Sequence, residues 1–238
     1  MTEVDARRTS DGPDTNPPIE GRDPVPAAVD WLLGAVAAAV GFVLTAVGIG
    51  LYARVDRTLI AEVLTAENTE VNGLTTAEAI TAGVPFVDWF SAGIAVTGLG
   101  LVAAAVRFVR ARRRTRRRVA SEGGSTATFW ASAVYGAAVT ALVSFVPGAG
   151  IVGGGLAAYI QETDSGARIG GVAGLVGWAL TAPLLVFFAV GLLVGADAVG
   201  MLADGVVLVG IVVVGELVAL AFNVGVGALG GYLVDRFV

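Results

Sequence analysis

Residues 205–234 read GVVLVGIVVVGELVALAFNVGVGALGGYLV, thirty positions interrupted by one charged side chain, Glu216. A helix of this length spans about 45 Å at 1.5 Å per residue, more than the ~30 Å hydrocarbon core of a bilayer. No face of it is polar enough to turn to water, so it cannot be an amphipathic helix on a soluble core. The stretch is a transmembrane helix, and the rest of the chain is read from it.

Working outward, the same character recurs. Gly123 to Gln161 holds no Asp, Glu, Lys or Arg over 39 positions, and the 238 residues are 55% hydrophobic and only 15% charged, with a mean hydropathy of +0.80. That excludes a soluble enzyme. All 15 basic residues are Arg, against 20 acidic ones, and there is no His and no Cys. Catalytic triads built on His or Cys, thiolate or imidazole zinc sites, haem on either residue and disulfides are therefore excluded. Carboxylates, hydroxyls, amides and backbone remain. Absence of Lys with an acidic balance is the composition of a GC-rich, salt-loving archaeon, or alternatively of a GC-rich actinobacterium.

Before the first apolar run, residues 1–29 carry Pro13, Pro17, Pro18, Pro24 and Pro26 and few large apolar side chains. They read as a disordered cytoplasmic tail. Residues 30–106 read as a two-span unit: Trp31–Ala53, flanked by Asp30 and Arg54, then about Val84–Val106. The segment between them, 54–88, is an acidic extracellular loop in which Leu59, Ile60, Val63 and Leu64 recur at helical spacing, as on a short interfacial helix.

Eight Arg follow: Arg107, Arg110, Arg112, Arg113, Arg114, Arg116, Arg117 and Arg118. By the positive-inside rule the linker 107–125 is cytoplasmic, and these residues are topogenic with anionic lipid headgroups as the alternative ligand. No aromatic side chain is interleaved in 110–118, so nucleic acid is not expected as a partner.

Residues 126–238 read as a Gly-rich membrane module. A span over about Phe129–Val146 ends at Pro147-Gly148-Ala149-Gly150, and Ile151–Ile160 is too short to cross an undeformed bilayer, so it re-enters or crosses as a short helix. Ile169–Ala196 is an uncharged span with Pro183 as a kink. Gly154, Ala157, Ala158, Tyr159, Ile160 and Glu162 match Gly227, Gly230, Gly231, Tyr232, Leu233 and Asp235 at a constant offset of 73. If both segments end at one face, six crossings with both termini cytoplasmic are favoured over five with a re-entrant loop. The fold expected is an all-α polytopic transmembrane bundle of five long spans plus one short or re-entrant helix.

Small residues form stripes: Gly34, Gly41 and Gly48 at intervals of seven; Gly166, Gly170 and Gly174 at intervals of four; Gly150 and Gly154; Gly227 and Gly231. Lipid tails are as apolar as Leu, so helices in a bilayer associate by close packing at such residues, within one chain or between copies. Glu216, near mid-run, is the most informative single position. A carboxylate at that depth must be neutralised by a proton, or matched by a cation or water, and is a functional candidate by default. Asn223, seven residues on, shares its face, and Thr140, Ser144 and Thr181 offer further neutral oxygens. That set is a candidate proton or cation site, against the plainer reading of a protonated Glu bonding across a helix interface.

The segment SFVPGAGIVGGGLAAYIQETDSGARIGGVAGLVGWAL, Ser144–Leu180, resembles a family of small haloarchaeal membrane proteins of unknown function. The resemblance covers roughly Thr126–Val238 and implies a four-helix membrane module without a known activity. The expectation for the whole chain is a non-enzymatic, multi-pass membrane protein without cofactor or metal, packing through Gly-rich helices with itself or a membrane-protein partner. The alternative is a small transporter or channel subunit with Glu216 and Asn223 as its ion site. Intramembrane proteolysis is disfavoured, because no second intramembrane carboxylate accompanies Glu216.

Overall fold

The structure, a computed structural model, describes residues 25–66, 73–161 and 165–237. Among these residues there is no β-strand; the chain forms eight helices. They are α1 (Ala27–Arg54), α2 (Arg57–Ala66), α3 (Thr76–Glu122), α4 (Phe129–Leu142), α5 (Ala149–Gln161), α6 (Gly166–Ala179), α7 (Ala182–Ala198) and α8 (Leu202–Phe237).

Most of the tail expected to be disordered lies outside the described residues. Its last part does not fit that expectation: α1 starts at Ala27, and Val25 is buried against Ala131, Tyr135 and Ile160. The acidic loop contains α2, carrying the Leu59, Ile60, Val63 and Leu64 face. It also contains the first turns of α3, which starts eight residues before Val84. Thr75 sets that start: its hydroxyl accepts from the Glu78 N–H, while the Glu78 carboxylate accepts from the Thr75 N–H at 2.8 Å, a reciprocal capping box. The expected Arg-rich linker is also helix, because α3 runs 47 residues without a break to Glu122 and stops at Gly123, whose φ of +79° suits glycine.

Among the described residues three helices are long and apolar enough to cross a membrane: α1, α3 and α8. The α6–α7 pair, bent by 41° at the break before Pro183, makes a fourth if it counts as one span. Five long spans were expected, and the shortfall is α4. It ends at Leu142, four residues before the apolar run does. Pro147 disfavours helical backbone at Val146 and supplies no N–H, and the chain turns through Val143–Gly148 with Gly148 at φ +88°.

Helix directions follow from the close approaches. In α1 and α3, Gly34 faces Val109, Gly41 faces Gly98 and Gly48 faces Ser91 and Ala95, so the pair is antiparallel. The α3–α7 pair (Gly93 on Phe187, Gly195 on Ala82) and the α6–α8 pair (Gly166 on Gly231, Gly174 on Asn223) are antiparallel too. By contrast, α5 and α8 run parallel, with Gly150 on Val226 and Gly155 on Val234. The two segments of the 73-residue repeat thus lie side by side and end together.

One end of the bundle gathers Asp30, Arg112, Thr126, Ile160, Gly166 and Asp235; the other gathers α2, Ala82, Gly195 and Gly205. Of the two limbs of the α4–α5 hairpin, α4 begins and α5 ends at the Arg-rich end. At 14 and 13 residues they reach about 20 Å. The hairpin follows α8 only along Val226–Val234, so its turn stops well short of the far end. In place of a third long span and a lone short helix, the fold has two short limbs that cancel in direction.

The interior is made of small residues. Buried in α1 are Asp30, Gly34, Gly41 and Gly48; in α7, Gly191 and Gly195; in α8, Gly205, Gly227, Gly230 and Gly231. Large apolar side chains point outward, Phe42 being 71% and Phe145 82% exposed. This inverted distribution is that of a protein whose solvent is hydrocarbon.

Candidate functional site

Two polar constellations stand out from this apolar background. Near the middle of the long helices, α6 ends at Ala179 and the chain bends before α7, leaving Trp178 on the last turn of α6. Its indole Nε1–H donates to Glu216 Oε2 of α8 at 3.1 Å. Both side chains are half-buried, and the indole is a neutral donor that can serve either protonation state of the carboxyl through a free lone pair. Next to them, Thr181 is exposed at the bend, its hydroxyl donating to the Trp178 carbonyl at 2.7 Å.

The remaining members of the expected ion site are not drawn together. Asn223 turns its amide onto its own helix, donating from Nδ2 to the Ala219 carbonyl at 2.8 Å, while its backbone carbonyl sits against Gly174. Thr140 donates to Gly136 in α4 at 3.0 Å, on the hairpin. Ser144 is exposed on the hairpin turn. Among the described residues no group of three or more acidic side chains forms a metal-binding cluster.

At the Arg-rich end a second constellation was not anticipated. Asp30, on the first turn of α1, receives Arg112 Nε at 3.1 Å on one oxygen and Arg116 Nε at 2.8 Å on the other, and the Tyr135 hydroxyl of α4 also donates to it. Arg112 continues to the Thr126 carbonyl at 2.6 Å and Arg116 to the Val25 carbonyl at 2.7 Å. The Arg112 guanidinium also faces the Tyr135 ring, 5.7 Å from its centroid. Three helices and two connecting segments therefore share one buried, hydrogen-bonded carboxylate. A buried charge pair persists only when its remaining donors and acceptors are satisfied, and these are.

This splits the Arg run in two. At about 100° per residue, Arg107, Arg110, Arg113, Arg114, Arg117 and Arg118 fall within about 140° of arc, with Arg112 and Arg116 on the opposite side. The six are exposed, Arg113 lying over the Trp31 ring at 4.1 Å from its centroid; Arg112 is buried. The spacing of four between Arg112 and Arg116, together with an acid opening the first span, was the available signal.

The glycines named from sequence each pack on another helix of the same chain. Gly34, Gly41 and Gly48 lie on α3; Gly150 and Gly154 on α8; Gly166, Gly170 and Gly174 on α8; Gly227 on Gly170, and Gly231 on Gly166. A Cβ on Gly41 would lie 2.6 Å from the Gly98 carbonyl oxygen, so the stripe is consumed inside the monomer. Gly98, Gly136, Gly153 and Gly230 play the same part and were not among the expected stripes; the first three pack in line with Ala or Ser and not with an evenly spaced row of glycines. Asp235 adds a polar contact at this interface, accepting from the Gly166 N–H at 2.6 Å at the start of α6, where a carboxylate complements the helix dipole.

No family model, curated protein or solved structure matches the chain.

Proposed function

We propose that this chain is a non-enzymatic, multi-pass membrane protein that works by packing against another membrane-embedded protein helix, in a second copy or a different chain. Its binding face is the bare stretch of α8 at the depth of Glu216 together with the exposed α6–α7 bend beside that carboxylate. The observation that carries this reading is the pairing of that carboxylate with uncovered irregular backbone. Because the hairpin stops at Val226, Val206–Phe222 of α8 is bare on the side turned away from Glu216: Val207, Ile211, Val214, Leu217, Val218 and Phe222 are each more than half exposed. Along the same helix lie Glu216, the exposed bend at Leu180–Thr181 and the exposed hairpin turn at Ser144–Gly148. Bare apolar side chains suit lipid. Irregular backbone and a carboxylate do not, since each unsatisfied polar group in hydrocarbon costs several kcal/mol unless protein or water covers it.

The Arg-rich end is cytoplasmic on this proposal, by the positive-inside rule, which puts both termini inside with four long passes and the hairpin inserted from the same side. The resemblance of Ser144–Leu180 to haloarchaeal membrane proteins belongs to the same reading and adds no activity to it.

A second reading rests on one observation: a bent, interrupted helix pair beside an intramembrane carboxylate is the arrangement in which transporters bind protons or cations. A water-filled path would then run beside the α6–α7 bend, with Glu216 as its proton- or cation-binding group.

A photo-crosslinking residue at Leu217 or Phe145, with Phe42 of α1 as the lipid-facing comparison, tests the first reading in native membranes. Protein adducts of one discrete mass from Leu217 and Phe145, and lipid adducts alone from Phe42, are expected. Lipid adducts alone from all three overturn it. Proton- or cation-driven uptake by proteoliposomes that disappears in Glu216→Gln would establish the second.

A further inference from the structure

At the end of the bundle remote from the Arg cluster, α2 does not lie flat on its neighbours but roofs a cavity of about 530 Å³. Ile60, Val63 and Leu64 of α2 form one side, Phe86 of α3 the floor, and Leu192 of α7 and Leu208 of α8 the far wall. Of the 19 described residues that line it only Asp204 is charged, and Asp204 is exposed. The volume lies within the roughly 300–1,000 Å³ of small-molecule sites, and the walls are more uniformly apolar than such sites usually are, which carry a few placed polar groups.

The sequence explains why the cavity stays open. Gly191 and Gly195 of α7 and Ala79, Ala82 and Gly83 of α3 leave little side chain to fill the angle between these helices. Ile60 reaches down to within 3.5 Å of where a Cβ on Gly83 would lie, while Leu59 and Val63 remain 40% and 52% exposed, as does Leu208 at 51%. Those exposed lining residues mark a mouth between α2 and α8. It lies where the apolar runs end, at Arg54 of α1 and Gly205 of α8, and so opens at the edge of the hydrocarbon layer.

We propose that this cavity is a binding site for one hydrocarbon chain of a membrane lipid. Water is a poor occupant, because a cavity without polar partners stays dry. Bilayer hydrocarbon is the medium next to the mouth and matches the walls. Among the described lining residues a sugar, nucleotide or ion would find no polar side chain other than Asp204. The amphipathic face of α2 then acquires a purpose: it covers a seated chain and turns Glu62 and Arg57 to the aqueous side, as interfacial helices do.

The full-length protein in nanodiscs of phosphatidylcholine doped with a diazirine-acyl phosphatidylcholine tests this by irradiation and peptide mapping. Adducts concentrated on Ile60, Val63 and Leu208, above the density on lipid-facing Phe42, are expected. The cavity-filling pair Val63→Trp with Leu208→Trp should lower the cavity adducts by about tenfold, the loss expected when an apolar chain no longer has a site to bury in, and leave those at Phe42 unchanged. Leu64→Phe serves as a smaller filling variant if the pair does not fold. Cavity adducts no denser than at Phe42 in the unsubstituted protein, or adducts indifferent to filling, overturn the proposal.

Discussion

The carboxylate of Asp30 and the guanidinium of Arg112 lie 82 residues apart in sequence and meet at 3.1 Å, with both side chains about 95% shielded. Through Arg116, Tyr135 and the Thr126 carbonyl the same carboxylate joins α1, α3 and α4, and so ties the two-span unit to the Gly-rich helices. Asp30→Asn leaves two guanidinium groups facing a neutral amide, one of them buried. The expected loss is about 3–5 kcal/mol, the cost of stranding a buried charge, read as a lower midpoint in chemical or thermal unfolding in detergent. Arg114→Gln, on the exposed face of the same helix, should change stability by no more than about 0.5 kcal/mol.

Close backbone approach makes a second prediction. Gly41→Leu must push α1 away from α3, since even a Cβ would meet the Gly98 oxygen at 2.6 Å and Val102 at 2.9 Å. A loss of about 1–3 kcal/mol or more is expected, with a longer α1–α3 distance between spin labels. Gly210→Leu on the open flank of α8, where nothing lies within 4 Å, should leave the midpoint unchanged.

The capping box at the start of α3 makes a third, in pH. Hydrogen bonds from the Thr75 hydroxyl and N–H hold the exposed Glu78 carboxyl below its usual value of 4.5. A group with a depressed folded-state pKa stabilises above its unfolded pKa, and that contribution disappears as pH falls through the lowered folded value. The first turn of α3 should therefore stay ordered at neutral pH and fray only in acid, seen in the amide shifts of Thr75 and Glu78. Thr75→Ala should fray the turn already at pH 7.

Sidedness supplies a fourth. Ser165, at the start of α6, and Ala198, at the end of α7, are exposed near opposite ends of the bundle. Single cysteines at these positions should react with an impermeant maleimide from opposite faces of sealed vesicles, Ser165→Cys from the cytoplasmic side. Reaction of both from one face would discard the four-pass arrangement.

What could be read from the residues follows a physical division. Helix existence and the Gly34, Gly41 and Gly48 stripe were legible, because apolarity and a seven-residue interval are local properties. The partner of that stripe was not, since α3 meets it at Ser91, Ala95, Gly98, Val102, Ala105 and Val109, which keep the seven-residue interval but change residue type at every step, so that no run of glycine marks it. The Arg run read as one topogenic block because charge counting ignores angle; helical phase puts two of its members on the far side, against Asp30. Length misled at α4: Val143, Phe145 and Val146 keep the run apolar, but the backbone is already turning toward Pro147. Thr75-Thr76-Ala77-Glu78 carries the capping signature openly, outside the apolar run that marks the span. At the candidate site, Glu216 was conspicuous as a lone charge, whereas Trp178 had no distinguishing mark until the α6–α7 bend placed it there.

The hairpin of α4 and α5 bears on how the protein is made. Its two limbs start and finish at the end of the bundle that already holds the close of α3 and the opening of α6. The long helices can therefore reach their final order while Phe129–Gln161 is still outside. The hairpin can then slide in last as a closed unit, carrying no Asp, Glu, Lys or Arg with it and reversing no flanking segment. The hairpin is thus an insertion that leaves the up-and-down order of the long helices unchanged.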